Sequence, residues 1–241
     1  MTIKQLGNGG AFNPKMPNSS FLIENQGKYL LFDCGYSIYS ELRGQDETGD
    51  IDLKKLDSIY ISHMDDDHVG SLKTLLYYQY FVNGITTKVY AHTEVFHALE
   101  EVLKKTNFKL ENGEYVYAPI VSVCRLYSFV KEGMIGLDSL VSHCYHHTTC
   151  YGLTLTNPRT GAVVFISGDT KATSKITKTI KDILDRNISY KIFHDFSSWD
   201  CEGSQVHACH GDTSRLYSPE VLDAINWYHN DAPFDGNWQA V

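Results

Sequence analysis

Nine residues, Ser62-His63-Met64-Asp65-Asp66-Asp67-His68-Val69-Gly70, constrain this chain more than any other segment. They follow the apolar run Ser58-Ile59-Tyr60-Ile61-Ser62, which reads as a buried strand, and precede a helix-like stretch from about Val69 to Phe81. The chain must therefore end a strand and start a helix within a turn that carries four potential metal ligands, His63, Asp65, Asp67 and His68, in six residues. Mixed imidazole and carboxylate donors at that density suit zinc, manganese or iron. A solvated acidic turn that caps the helix through Asp67 would account for the three aspartates. It does not account for the two histidines that bracket them.

The rest of the chain alternates strands and helices around this turn. Phe21-Leu22-Ile23 and Tyr29-Leu30-Leu31-Phe32, split by Glu24-Asn25-Gln26-Gly27-Lys28, predict a hairpin. The stretch from Gln45 to Asp52 reads as an acidic exposed loop. Lys88-Val89-Tyr90-Ala91 reads as a strand, followed by a helix with Thr93 as N-cap and Val95, Leu99, Val102 and Leu103 as its apolar stripe. From about Thr106 to Gly136 the aromatic and β-branched content predicts hairpins. Strands over Ser139–Tyr145, Tyr151–Thr156 and Ala162–Ser167 follow, the last two joined by a turn at Asn157-Pro158-Arg159-Thr160-Gly161. A helix over Ser174–Arg186 and a strand over Tyr190–Phe193 come next, then a loop, a short helix opening near Pro219 or Glu220, and a strand from Ala224 to Tyr228. No repeat or linker divides the chain. Two mixed sheets between helices fit this order.

Composition narrows the function. With 42% hydrophobic and 21% charged residues over 241 positions, the chain is neither disordered nor fibrous, and no apolar run reaches the length of a membrane span. The net charge of −8 argues against a large nucleic-acid footprint and leaves room for one small anion. The start, Met1-Thr2-Ile3-Lys4-Gln5-Leu6, does not have the pattern of a signal peptide, so a cytoplasmic protein is expected. The six cysteines form no CxxC pair and read as reduced residues.

Three further candidates stand at strand ends. Asp169 lies in Ser167-Gly168-Asp169-Thr170, His146-His147 follows the strand from Ser139, and His229 follows Ile225-Asn226-Trp227-Tyr228. Each alone reads equally well as a turn or packing residue. Together they place potential ligands at four strand ends.

His63-Met64-Asp65-Asp66-Asp67-His68 resembles the HxHxDH signature of the metallo-β-lactamase superfamily, and Ser167-Gly168-Asp169-Thr170 resembles its metal-bridging turn. The stretches Leu6–Phe12, Asn18–Ile23 and Leu31-Phe32-Asp33-Cys34-Gly35 are similar to the opening of the ribonuclease Z-like branch. In the same branch Phe193-His194-Asp195-Phe196-Ser197 stands for a HEAT-like element, and Val206-His207-Ala208 for the later catalytic histidine. The resemblance implies one α/β domain over residues 1–241, a four-layer αβ/βα sandwich with two mixed sheets.

It also implies a dinuclear site. One divalent ion, zinc or manganese, would be held by His63, Asp65 and His146 and the second by Asp67, His68 and His229, with Asp169 bridging. His147 stands as the alternative to His146, and His210 as the alternative to His229. Asp65 departs from the pattern, since a histidine usually stands there; a carboxylate is a harder, anionic ligand and shifts the balance towards manganese. A metal-bridging hydroxide oriented by Asp67 would attack a phosphodiester, with His207, oriented by Asp195, protonating the leaving oxygen.

Asp169 lies only 23 positions after His146, too close for the long arm of transfer-RNA-maturing ribonuclease Z proteins. In length and layout the chain is similar to metallo-β-lactamase-fold cyclic nucleotide phosphodiesterases, including phage anti-Pycsar proteins that act on cyclic CMP and cyclic UMP. The substrate this implies is a small cyclic nucleotide, with no polymeric nucleic acid and no membrane as partner. A ribonuclease Z-like RNA endonuclease, another ester or lactone hydrolase of the fold, or a metal-binding sensor that holds a base with Trp199, Trp227 or Tyr228 are the alternatives. A homodimer is expected, with the aromatic segment Phe108 to Tyr117 completing the neighbouring pocket.

Overall fold

The computed structural model describes residues 1–104, 108–109, 115–116, 124–128, 131–197 and 206–230. Two six-stranded sheets carry the fold, and both are mixed. The first runs β1 (Thr2–Gly7), β2 (Ser20–Asn25), β3 (Lys28–Phe32), β4 (Leu56–Ile61), β5 (Thr87–Ala91) and β8 (Cys124–Ser128), antiparallel up to β3 and parallel beyond it. The second has the order β14 (Ile225–Tyr228), β13 (Tyr190–Asp195), β12 (Val163–Ile166), β11 (Tyr151–Thr156), β10 (Leu137–His143) and β9 (Lys131–Met134). Its β12, β13 and β14 are parallel and the remaining pairs antiparallel.

Side-chain alternation builds the layers. Phe21, Ile23, Leu30, Phe32 and Tyr60 face the second sheet and meet Leu153, Leu155, Val164, Ile166, Phe193 and Tyr228 there. Their neighbours Leu22, Leu31, Ile59 and Ile61 point the other way, on to helices α1 (Ile38–Thr48), α3 (Leu72–Tyr77) and α4 (Thr93–Lys104). On the far side of the second sheet, Val163, Phe165 and Ile192 pack on Ile176, Ile180 and Ile183 of α5 (Ser174–Leu184). Strands covered on both faces read as continuous apolar runs, which is why β3 and β12 are visible in the sequence. Phe21 sits 4.6 Å from Phe193 and 5.3 Å from Tyr228 between ring centroids. Truncating such a side chain to alanine costs about 3–5 kcal/mol.

Several boundaries differ from the sequence expectation. The supposed acidic loop at 45–52 is partly helix, because α1 continues to Thr48 before Gly49 ends it in the left-handed region at φ 81°. Only Ile38 and Leu42 of α1 are buried, and Arg43 spends its charge on Asp46 and Glu47, so the helix lacks a long apolar stripe. The helix expected from Val69 to Phe81 is three pieces: α2 (Asp66–Val69), α3 and a π-helical turn over Tyr78–Val82. The break at Ser71 has a cause, since its hydroxyl donates to the Gly35 carbonyl at 2.6 Å, tying the helix start to the end of β3. Thr93 is the first helical residue of α4 and its hydroxyl meets that of Ser128; Val102 is 46% exposed and leaves the apolar stripe to Val95, Leu99 and Leu103. The stretch read as a loop before Pro219 contains α6 (His210–Leu216), and α7 (Pro219–Ala224) follows it.

The middle region pairs β6 (Phe108–Lys109) with β7 (Tyr115–Val116) as expected of a hairpin; the remainder of 108–117, with Trp199 and Cys201, lies outside the described residues. Trp227 is partly buried against His194 and Phe196, and Tyr228 is buried in the core, so Tyr228 offers no base-binding face. Among the described residues no helix is long and apolar enough to cross a membrane.

Candidate metal centre

Six strands of the two sheets, β3, β4, β10, β12, β13 and β14, end at one edge, and every candidate site residue but His207 and His210 lies at or just beyond one of these ends. The sheets are stitched together there. Tyr151 N donates to Ser62 O at 3.0 Å, and the Tyr60 hydroxyl donates to Tyr151 O at 2.8 Å.

The turn after β4 delivers the first four. Asp65 occupies the N-cap position of α2 and makes no capping bond. Its Oδ2 turns instead towards His63 Nε2 at 3.5 Å and His146 Nε2 at 3.2 Å. Asp67, which could have served the helix end, lies 3.3 Å from His68 Nε2 and 3.1 Å from His229 Nε2. Asp169 then closes the group, its Oδ2 at 3.2 Å from His68 Nε2, 3.1 Å from His229 Nε2 and 3.9 Å from His63 Nε2. All seven expected ligands are thus brought together, as His63, Asp65 and His146 on one side and Asp67, His68, Asp169 and His229 on the other. Asp169 reaches both.

The alternative histidines differ in burial and direction. The His146 side chain is 1% exposed and its Nδ1 lies 3.3 Å from Val206 O, whereas His147 is 54% exposed, although its Nε2 also comes within 3.3 Å of Asp65. His229, at φ 70°, points into the group; His210 is an exposed residue at the start of α6 and belongs to none of the clusters. Gly168 holds the bridging turn at φ 68°, where a Cβ would stand 3.0 Å from Cys150 Sγ.

Supporting residues fix the imidazoles. Asp33, fully buried, accepts from Ser62 N and Ser62 Oγ, both at 2.7 Å, and pairs with His68 Nδ1 at 2.8 Å. Ser62 Oγ in turn lies 2.9 Å from His63 Nδ1. These contacts leave the Nε2 atoms facing the centre, the arrangement that orients metal-bound histidines. Asp33 is visible in the sequence only as an acid set directly after the apolar strand Tyr29–Phe32. Asp195 Oδ2 accepts from Thr170 N at 2.7 Å and lies 2.9 Å from His207 Nδ1, so the expected dyad is formed.

The electrostatics demand positive charge. Burial opposes ionisation of Asp67 and Asp169, yet the surrounding imidazoles hold both carboxyls well below the usual carboxylate range. Asp65 is likewise held low by His146 and His63 against partial burial. Burial works against a charged His68, but Asp169, Asp67 and Asp33 push it well above its ordinary value, and Asp169 and Asp67 raise buried His229 in the same way. Protons on the imidazoles meet that demand, and so do divalent ions on neutral imidazoles. The donor atoms favour the second. His63 Nε2, His68 Nε2 and Asp169 Oδ1 are buried and make no hydrogen bond among the described residues, although carboxylate oxygens stand near both imidazole nitrogens; buried polar atoms left this way are costly. A borderline-hard divalent cation fits this imidazole and carboxylate set.

Comparisons with known proteins agree with this geometry. A family model described as "Anti-Pycsar protein Apyc1" matches residues 1–237. The Anti-Pycsar protein Apyc1 of Bacillus phage BSP38 is 39% identical over 83 residues, 34% of this chain and 31% of that protein, so the aligned part spans about a third of that relative's length. Among solved structures, the metallo-β-lactamase fold protein YhfI from Bacillus subtilis superposes with a TM-score of 0.71 at 17% identity, covering 96% of this chain and 86% of its own. Human tRNase Z, short form, superposes at 0.69 with 15% identity, covering 97% and 93%. At such identities the likeness establishes the metallo-β-lactamase fold.

Proposed function

The chain belongs to the anti-Pycsar protein Apyc1 family, and on that footing we propose that it is a metal-dependent phosphodiesterase hydrolysing small cyclic nucleotides, cyclic CMP and cyclic UMP among them. The chief support is the floor of a cavity of about 710 Å³, where Asp65, Asp67, His146, Asp169 and His229 converge and no lysine or arginine stands among the described lining residues. Among the described lining residues the positive charge for an entering phosphate would come from bound cations or from the imidazoles. Its size suits a small molecule.

We propose that His63, Asp65 and His146 hold one ion and Asp67, His68 and His229 the other, with Asp169 between them. When bound, two divalent ions would supply Lewis-acid charge to the phosphodiester and lower the pKa of a water towards neutrality. Asp67, buried on the lining of the cavity, would orient that water. His207 is fixed by Asp195, which accepts its Nδ1–H; in the imidazolium form, which that carboxylate stabilises, the Nε2–H would be given to the departing ribose oxygen, leaving a neutral imidazole. The ring lies on the cavity wall, stacked on His229 with centroids 4.6 Å apart. Strands β11 and β12 and their tight turn fill the interval between His146 and Asp169, which leaves no arm for a transfer RNA. The same reading carries a homodimer, whose mass sedimentation would report.

The purified protein, loaded with zinc or manganese, should open the ring of 3′,5′-cyclic CMP or cyclic UMP to a linear monophosphate, and Asp169→Ala should abolish this. Hydrolysis of a β-lactam reporter or cleavage of precursor transfer RNA without cyclic nucleotide turnover would contradict the reading.

A further inference from the structure

Phe12 is 88% exposed, more than any other large apolar side chain among the described residues, and it stands on the wall of the same cavity. A loop tip that sheds an apolar ring into solvent is ordinarily loose. This one is tied down. Buried Asn13 donates from Nδ2 to Asn230 O at 2.8 Å, and its Oδ1 accepts from Lys15 N at 3.0 Å and Met16 N at 3.1 Å. Gly10 N donates to Asn230 O at 3.0 Å, and Gly9 N to Pro17 O at 2.8 Å. Asn230 directly follows His229, so the loop is anchored to the residue beside the centre itself. Tyr36, half exposed on the same wall, donates its hydroxyl to Ala11 O at 2.9 Å, adjacent to Phe12.

The cavity is therefore divided. Its floor of carboxylates and imidazoles meets a phosphate through cations. Its rim offers two aromatic rings, Tyr36 tied through its hydroxyl to Ala11 O and Phe12 carried on a backbone anchored to Asn230. A cyclic mononucleotide has a matching division, an anionic ring fused to a ribose that carries a planar base. We infer that Phe12 is the stacking platform for the nucleobase, with Tyr36 as the positioning residue that fixes it. This rests on the cyclic nucleotide reading and adds to it the origin of base recognition. Because every base has a π-face, stacking of this kind tolerates any base and discriminates against a substrate that has none.

The test compares kcat/KM for 3′,5′-cyclic CMP with that for the abasic ribose 3′,5′-cyclic phosphate, using the full chain loaded with zinc. In Phe12→Ala the ratio of the two should fall by about 10-fold or more, mainly through KM, and Phe12→Trp should restore it. Tyr36→Phe keeps the ring and loses the tie to Ala11, and should give a smaller fall. An unchanged ratio in Phe12→Ala overturns the platform. Binding of a non-hydrolysable cyclic CMP phosphorothioate, measured in parallel by calorimetry, separates the two claims. Binding weakened by Phe12→Ala without any turnover in the parent upholds the platform and sinks the hydrolytic reading, whereas turnover with an unmoved ratio does the reverse. Neither binding nor turnover sinks both.

Discussion

Replacing Asp33 with asparagine removes a buried charge and adds hydrogens to one atom while keeping the side chain's shape. In the protein Asp33 serves three donors: Ser62 N at Oδ1, and Ser62 Oγ and His68 Nδ1 at Oδ2, at 2.7, 2.7 and 2.8 Å. In Asp33→Asn the amide oxygen retains Ser62 N, while the amide NH2 takes the place of Oδ2. Ser62 Oγ can rotate to accept one of its hydrogens, and the other faces His68 Nδ1. That nitrogen must then accept, which moves the imidazole proton to Nε2, the atom directed at Asp67 and Asp169. The fold keeps its bonds, so the stability loss should stay near 1–2 kcal/mol, set by the charge-assisted bond lost. The centre loses a ligand in its usable tautomer. Disturbing such an orienting partner typically lowers metal affinity about 10- to 100-fold, or roughly 1.4–2.7 kcal/mol. Zinc titration against a chromophoric chelator should show one site weakened by that factor and the other unmoved, while urea unfolding without metal shifts little. Asp33→Ala should behave differently, stranding three buried donors at a cost of about 3–5 kcal/mol. Unchanged zinc affinity at both sites in Asp33→Asn would refute the orienting role.

Other consequences follow from the same geometry. His207→Ala and Asp195→Asn should lower kcat on cyclic nucleotides by about 10²–10⁴ while sparing bis-p-nitrophenyl phosphate, whose leaving group needs no proton; equal losses on both would contradict a general acid. His194, buried between Ser167 Oγ and the Tyr217 hydroxyl, is driven by burial down to about 4 against the pull of Asp195. Its folded pKa lies below the unfolded one, so its contribution is complete above about pH 6.5 and is lost as pH falls towards 4, amounting to about 3 kcal/mol. Denaturant titrations at pH 7 and pH 4 should show that loss and His194→Gln should lack it; identical pH dependence in the variant would contradict the assignment. Gly35→Ala would drive a Cβ into the Asp67 carbonyl and within 2.8 Å of Asn18 Cβ, so it should cost both stability and metal binding, and wild-type melting would contradict that close packing.

The sequence exposed what local pattern encodes. The ligand turn at 63–68 is legible because its residues are consecutive and follow an apolar strand, and Asp169 and His229 because each stands where such a strand stops. The preference for His146 over His147 rests on the resemblance, through the spacing to Gly152; side-chain direction, with His146 buried and His147 exposed, is something only the structure adds. Asp33 acts from 30 positions before His63, through a contact that exists only once β3 and β4 are paired. Helix α1 was obscured for an energetic reason, since its outer face is held by Arg43 with Asp46 and Glu47 and only two of its residues enter the core. Phe12 read as part of an opening motif; its exposure beside the centre depends on hydrogen bonds from Asn13 and Gly10 to Asn230, more than 200 residues away.

The central claim is a two-ion centre that opens a small cyclic phosphodiester. Linear nucleotide formed from 3′,5′-cyclic CMP, followed against equivalents of zinc or manganese added to chelator-treated protein, tests it most directly. Activity should be absent without metal, rise until two equivalents are bound, and stay absent throughout in Asp169→Ala. Full turnover in the chelated protein, or none at any metal loading, would contradict it.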